Sequence, residues 1–247
     1  MKHIQPSVTG LTVIDVKLLS DGYFTLDKSF LVFGKYQGIK YKAALKPLLV
    51  RTDKELIILD TGVGNLPPKY RNYHDVIRTV EDDLLNSLKH VGVEPEKVTM
   101  VVNTHLHFDH CGNNRLFKNA KFLVQEEEIR YAYSPDYYMK VSYLRDFFDL
   151  EGDFVRLNGK YRIEEGVEII PTPGHTIGHQ SVVVRWRDRN IVYAGDAAPL
   201  SENIERGNIA GMLYHGGLAT NSIDVLKKIE NPIFIYGHDN EQLELGV

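Results

Sequence analysis

Short apolar runs rich in β-branched residues recur along the chain, and each leads to a polar residue of ligand type. Leu56–Leu59 runs into Asp60, and Met100–Val102 runs through Asn103 and Thr104 into His105. Val167–Ile170 leads through Pro171–Gly174 to His175, Ile191–Ala194 through Gly195 to Asp196, and Ile233–Tyr236 through Gly237 to His238. Runs of this length bounded by Gly and Pro predict buried strands. A single Asp after a strand is commonly a turn former. Carboxylates or imidazoles past the ends of five such runs point instead to one shared site at a sheet edge.

Helices are predicted between these strands. Over Thr79–Val91, Thr79 and Asp82 have capping-box spacing, Leu84, Leu85, Leu88 and Val91 share one face, and Gly92 is a stop. Ser222–Ile229 predicts a second, shorter helix, and Phe30–Phe33 and Leu48–Thr52 predict early antiparallel strands. Strands alternating with helices in both halves imply the α/β class, with sheets covered by helices. No low-complexity segment or Gly/Ser linker marks a boundary, so residues 1–247 read as a single domain. Glu126–Glu151 differs, being crowded with Tyr131, Tyr133, Tyr137, Tyr138, Tyr143, Phe147 and Phe148, and interrupted by Pro135. It reads either as a packed or homodimer-forming insertion or as the wall of an apolar substrate pocket.

Composition narrows the partners. Of 247 residues, 43% are hydrophobic and 25% charged, as in ordinary globular proteins, and the net charge of −4 offers no general attraction to phosphate backbones. Nucleic acid is therefore not an expected partner. Cys111 is the one cysteine, which excludes an intrachain disulfide. Met1–Gly22 mixes apolar residues with Lys2, Asp15, Lys17 and Asp21 and carries no signal-peptide pattern. No run approaches the roughly 18 apolar residues of a membrane span. The expectation is a cytoplasmic protein with no membrane partner.

Thr104–Gly112, THLHFDHCG, concentrates the chemistry. His105, His107, Asp109 and His110 fall within six positions, a pattern that neither a strand nor a helix needs for packing. Imidazole and carboxylate are the usual ligands of zinc and similar divalent ions. Four such groups are too many for one open catalytic site and too few for two. Two sites need about six protein ligands, or seven if one bridges. His175, Asp196 and His238 complete that number.

THLHFDHCG, PTPGHTIGH (Pro171–His179), AGDA (Ala194–Ala197) and YGHD (Tyr236–Asp239) resemble, in order, the motifs of the metallo-β-lactamase superfamily, and LDTG (Leu59–Gly62) resembles its first motif. The resemblance implies a four-layer αββα sandwich with a dinuclear metal site at the sheet edge. It implies His105, His107 and His175 on a first metal, Asp109, His110 and His238 on a second, and Asp196 bridging. Asp60 and His179 would support these ligands without touching metal. The ions would be two divalent metals, Zn²⁺ foremost, with Mn, Fe or Co also accepted by such donors.

HLHFDH, TPGHTIGHQS and GHDNEQ further resemble the N-acyl homoserine lactonases, the quorum-quenching branch. That implies a hydrolase of small acyl lactones or esters, with attack by a hydroxide held between the metals, Asp109 shuttling the proton, and Phe108 touching the acyl chain. Phe108 read from the residues alone is equally a core anchor of its loop. Cys111 reads as a small packing residue rather than a further soft ligand. Where these lactonases place a substrate-contacting tyrosine, three residues past the bridging aspartate, this chain has Pro199. The alternatives are a glyoxalase II-like thioesterase or a general esterase of the same fold; a nuclease, a β-lactamase or a non-catalytic metal-binding protein fits the motifs less well.

Overall fold

The computed structural model describes residues 13–71 and 75–245. The leader reading over Met1–Gly22 therefore lies mostly outside the described residues.

One mixed sheet runs in the order β1 (Val13–Leu18), β4 (Leu48–Thr52), β5 (Leu56–Leu59), β7 (Met100–Val102), β8 (Lys121–Gln125), β9 (Asp153–Leu157). From β5 to β9 its strands pair in parallel. A second sheet runs β10 (Tyr161–Glu164), β11 (Val167–Pro171), β12 (Gln180–Trp186), β13 (Arg189–Gly195), β14 (Pro232–Tyr236), with only its last pairing parallel. A small antiparallel sheet of β3 (Lys40–Ala44), β2 (Tyr23–Asp27) and β6 (Asp75–Ile77) stands beside them.

The period-two alternation of strands decides what each residue packs against. In β5, Ile57 and Leu59 face the second sheet, joining Val167, Ile169, Val182, Ile191 and Ile235 in a shared inner core. Ile58 faces the other way, packing with Val101 and Phe122 against Leu84 and Leu88 of α1 (Leu84–His90). In the second sheet Ile170, Val192 and Ala194 face outward against Ile204 of α5 (Ser201–Arg206) and Ile223 and Leu226 of α6 (Gly216–Lys227). The layers are thus helix, sheet, sheet, helix, as expected from the motifs. Both faces of each central strand are covered, which is why these runs are apolar throughout rather than alternating. Among the described residues, no helix is long and apolar enough to cross a membrane.

Three local expectations need correction. Phe30–Phe33 is not a strand: Lys28–Phe30 forms a 3₁₀ turn, with the Asp27 carboxylate accepting from Ser29 N at 2.9 Å. Leu31 and Val32 are both buried while Phe30 and Phe33 are exposed, a pattern no pleated strand produces. The first helix starts at Leu84 rather than Thr79. Thr79 spends its hydroxyl on the Asp82 side chain, and the capping is done by Asp83, which accepts from Asn86 N at 2.8 Å. The last helix begins at Gly216, six residues before Ser222, and ends at Lys227; His215 Nδ1 accepts from Leu218 N at its start. The Gly216–Gly217 pair, poor in helix propensity, hides that first turn from a sequence reading.

The aromatic segment is a packed insertion. α3 (Glu126–Tyr133) stops at Ser134, before Pro135, and α4 (Arg145–Phe148) follows after a short 3₁₀ turn at Lys140–Ser142. Tyr143, Phe147 and Phe148 are buried in a core shared with Leu106, Phe108 and Phe24. Val141 and Ser142 of the same insertion line a cavity, while its buried aromatic side chains pack elsewhere.

Candidate metal centre

The residues past the strand ends converge. Thr104–Cys111 leaves β7 as a tight loop closing into the short helix α2 (Phe108–Cys111), while His175 follows β11, Asp196 follows β13 and His238 follows β14. Their donor atoms fall into trios of His105, His107 and His175, and of Asp109, His110 and His238; His105, His110 and Asp196 form a third, overlapping group. Asp196 spans the two separate trios. Its Oδ2 lies 3.3 Å from His175 Nε2 and its Oδ1 3.2 Å from His238 Nε2. Gly237 makes this approach feasible, since a Cβ there would collide with Asp196 Oδ1.

Hydrogen bonds to the far sides of the rings fix which nitrogens face inward. His175 Nδ1 donates to Met212 O at 2.7 Å, and His238 Nδ1 to Ala44 O at 3.1 Å, because a carbonyl can only accept. His110 Nδ1 bonds the Asp60 carboxylate at 2.7 Å. Thr104 gives its one hydroxyl proton to Asp60 Oδ2, so its oxygen accepts from His105 Nδ1 at 3.0 Å. In the neutral rings, the inward nitrogens therefore carry lone pairs. The inward nitrogens of His110 and His238 lie 3.3 Å apart, and that of His175 lies 3.1 Å from His107 Nδ1. His105 Nε2 is buried with no hydrogen-bond partner. Donors bound at about 2.0–2.1 Å to one tetrahedral zinc sit roughly 3.4 Å apart, so lone pairs at these separations fit shared cations.

The electrostatics agree. Burial, reinforced by the neighbouring imidazoles, holds His105 and His107 well below the usual histidine range. His110 and His238 are also buried, yet Asp196 and the other carboxylates beside them outweigh that effect, raising His110 well above its ordinary value and His238 to about 9. Asp109 ends at about 2, because His110 and His238 overcome the effect of burial. A buried set of carboxylates that draws positive charge onto its histidines is a set that welcomes divalent ions.

Asp60 sits outside the trios and organises them. It adopts a left-handed backbone, φ 54°, which is unfavourable for a residue with a Cβ. Three bonds offset this cost: Thr104 N at 2.7 Å, Thr104 Oγ1 at 2.8 Å and His110 Nδ1 at 2.7 Å. His179 plays a related part, its Nε2 accepting from Asp196 N at 3.0 Å, and burial holds it down to about 3 as a neutral acceptor. Cys111 turns its thiol to Leu106 O and His107 O. Phe108 is buried, packs edge-on to Phe24 at 5.7 Å as an anchor of its loop, and lines the cavity.

Two supporting residues escaped the sequence reading. Buried Glu128 accepts from Leu106 N, Gly178 N and Tyr143 OH, tying both ligand loops to the insertion. Asp21 accepts from Val63 N, Gly64 N, Leu84 N and Arg78, clamping the turn after Asp60. No motif marks either one. Glu128 looks like an ordinary acid in a helix's first turn, and Asp21-Gly22 looks like an ordinary turn.

Above the trios opens a cavity of about 360 Å³, with Phe24, Leu26, Phe30, Leu31, Val141 and Met212 on its walls and His107, Asp109, His175, Asp196 and His238 at its floor. The sequence profile of the metallo-beta-lactamase superfamily matches residues 47–238. The chain belongs to the metallo-β-lactamase superfamily. Within the superfamily, it is 32% identical over 215 residues to an N-acyl homoserine lactonase of a Bacillus species, covering 78% of this chain and 80% of that one. The crystal structure of a quorum-quenching N-acyl homoserine lactone hydrolase superposes with a TM-score of 0.82 at 30% identity, covering 94% of each chain. The structure of an N-acyl homoserine lactone hydrolase with N-hexanoyl-L-homoserine at its catalytic metal centre gives 0.82 at 29% identity, covering 94% of this chain and 95% of that one.

Proposed function

We propose that this protein is a dinuclear metallohydrolase that opens the lactone ring of N-acyl homoserine lactones. His105, His107 and His175 would hold one divalent ion, Asp109, His110 and His238 a second, and Asp196 would bridge them, with Zn²⁺ the ion best matched to imidazole and carboxylate donors. The observation that carries this reading is Asp196 with one oxygen toward each trio, beneath an apolar cavity sized for a small acylated ligand. An N-acyl homoserine lactonase at 32% identity and an N-acyl homoserine lactone hydrolase at 30% support the choice of substrate.

Divalent ions held by these residues would supply a bound water of pKa lowered toward about 7 and polarisation of the substrate carbonyl. The protein's own groups do the rest. Asp60, Met212 O and Ala44 O hold His110, His175 and His238 in the tautomer that keeps their inward nitrogens free. Asp109 Oδ2 faces His238 Nε2 at 3.3 Å, so Oδ1 is the oxygen left to take the proton of the attacking water and return it to the ring alkoxide. Pro199 contributes its backbone, its carbonyl accepting from His238 N at 2.8 Å, and no side-chain donor to substrate.

The test is elemental analysis followed by an activity panel of homoserine lactones of several chain lengths, simple lactones, a glutathione thioester and a phosphodiester. About two equivalents of metal and a clear preference for acyl lactones are expected. Thioester turnover exceeding lactone turnover by orders of magnitude would make the protein a thioesterase instead.

A further inference from the structure

The cavity wall holds few polar side chains beyond the candidate ligands: Thr25, Asp27 and Ser142. Asp27 is occupied, accepting from Ser29 N and Gly38 N, and as a carboxylate it has no proton to give. Thr25 follows Phe24 in β2, so its side chain is turned to the opposite face from the ring that packs on His238. Tyr143, beside Ser142, lies edge-on to His107 at 4.6 Å, with its hydroxyl held by Glu128 at 2.9 Å. Met212, whose sulfur is 3.5 Å from Ser142 Oγ, holds His175 Nδ1 through its carbonyl. Ser142 is therefore tied on both flanks to imidazoles of the His105–His107–His175 trio.

Its hydrogen bonding is incomplete. Ser142 is only 4% exposed, and its hydroxyl is offered to a thioether, a weak acceptor. A buried hydroxyl without a strong acceptor is costly to keep unless something supplies one. A substrate carbonyl oxygen arriving over His107 and His175 is such an acceptor, and turning the hydroxyl from sulfur to oxygen gives up little.

We propose that Ser142 is a substrate-contacting catalytic residue whose hydroxyl donates a hydrogen bond to the carbonyl oxygen under attack. It would supply, from the insertion, the side-chain donor that the Pro199 position cannot. This rests on the lactonase reading above. As negative charge grows on that oxygen, the bond strengthens, so its effect belongs in kcat more than in KM.

The experiment compares wild type, Ser142→Ala and Ser142→Thr, each with metal content and melting temperature recorded. Kinetics use a homoserine lactone, and calorimetry measures affinity for its ring-amide (lactam) analogue, which is not hydrolysed. For Ser142→Ala, kcat is expected to fall about a hundredfold, the lower end of what one oxyanion donor supplies, while KM rises by no more than about fivefold. Lactam affinity is expected to fall about fivefold, the scale of one neutral hydrogen bond, and Ser142→Thr to recover most of both. Active wild type with kcat and lactam affinity unaltered in Ser142→Ala overturns the role of Ser142 alone, as does equal loss in the Ala and Thr variants. Wild type that neither opens the lactone nor binds the lactam overturns the lactonase reading and this one together. If the Ala variant loses metal or melts early, Ser142→Cys, similar in size and a weaker donor, is held to the same thresholds.

Discussion

The floor and the wall of the cavity are built on opposite plans. At the floor every candidate ligand is buried and each imidazole except His107 is pinned from behind by a hydrogen bond to Asp60, Thr104, Met212 O or Ala44 O. At the wall Phe30 and Val141 are 48% and 45% exposed, and they come from a 3₁₀ turn and an insertion rather than from the sheets. The floor is mounted on strand ends of the two central sheets; Phe30 and Val141 are mounted on segments outside them. Apart from Ser142, the exposed part of the wall stands apart from the chemistry, and substitutions can test how cleanly.

The largest effect is expected at the group both trios share. Asp196→Ala should drop metal content from about two equivalents toward zero and lower activity more than about a thousandfold, beyond the loss of a single oxyanion donor. A metal-replete, active Asp196→Ala protein would dismantle the bridging assignment. Asp109→Asn should cut turnover about 10²- to 10⁴-fold, the usual weight of a general acid–base, while much of the metal stays bound. Equal losses of metal and turnover would reduce Asp109 to a ligand. Asp60→Asn replaces no candidate ligand, yet it removes the acceptor that orients His110 and Thr104; about a 10- to 100-fold loss in metal affinity or activity is expected. Wild-type metal affinity in that variant would show that the loop geometry survives without it.

Metal removal should change how stability responds to pH. In the metal-free protein His238 is raised from 6.5 to about 9, so it binds its proton more tightly folded than unfolded. Its stabilising contribution is full below about pH 6.5 and is lost as pH rises through 9. Asp109, lowered from 3.8 to about 2, contributes stability above pH 3.8 that is lost as pH falls through 2. The melting temperature of chelated protein is therefore expected to decline between pH 6.5 and 9, while metal-loaded protein, with metal in place of that proton, stays level. Parallel curves for the two forms would mean that the proton and the ion do not compete.

The same division explains what the sequence revealed. The floor was legible because its chemistry is compressed: four donors in His105–His110, and three more each ending an apolar run that can only be a buried strand. Those runs and the helices between them implied sheets covered by helices, and the four-layer order was implied by the family resemblance of the motifs. Phe30–Phe33 misled because Leu31 and Val32 are adjacent and both buried, so local apolarity carried no period to separate strand from turn. Glu128 and Asp21 were invisible because a carboxylate that accepts backbone N–H groups needs no partner type, only a position in space. The wall was illegible for a related reason: Val141 lies far along the chain from Phe24 and Phe30, and they meet only after the sheets, the 3₁₀ turn and the insertion are in place.

The smallest effect, and the sharpest check on separability, is expected at Phe30. Its ring lines the cavity while remaining about half exposed, so truncation opens the wall without hollowing the core. At about 25 cal/mol per Å² of apolar contact, losing roughly 40 Å² shared with a long acyl chain costs about 1 kcal/mol, near a fivefold rise in KM. Short-chain lactones, which do not reach the ring, should keep their KM, and kcat and metal content should hold for all chain lengths. A chain-length-independent fall in kcat after Phe30→Ala would show that the wall also shapes the floor, and the two plans would have to be treated as one.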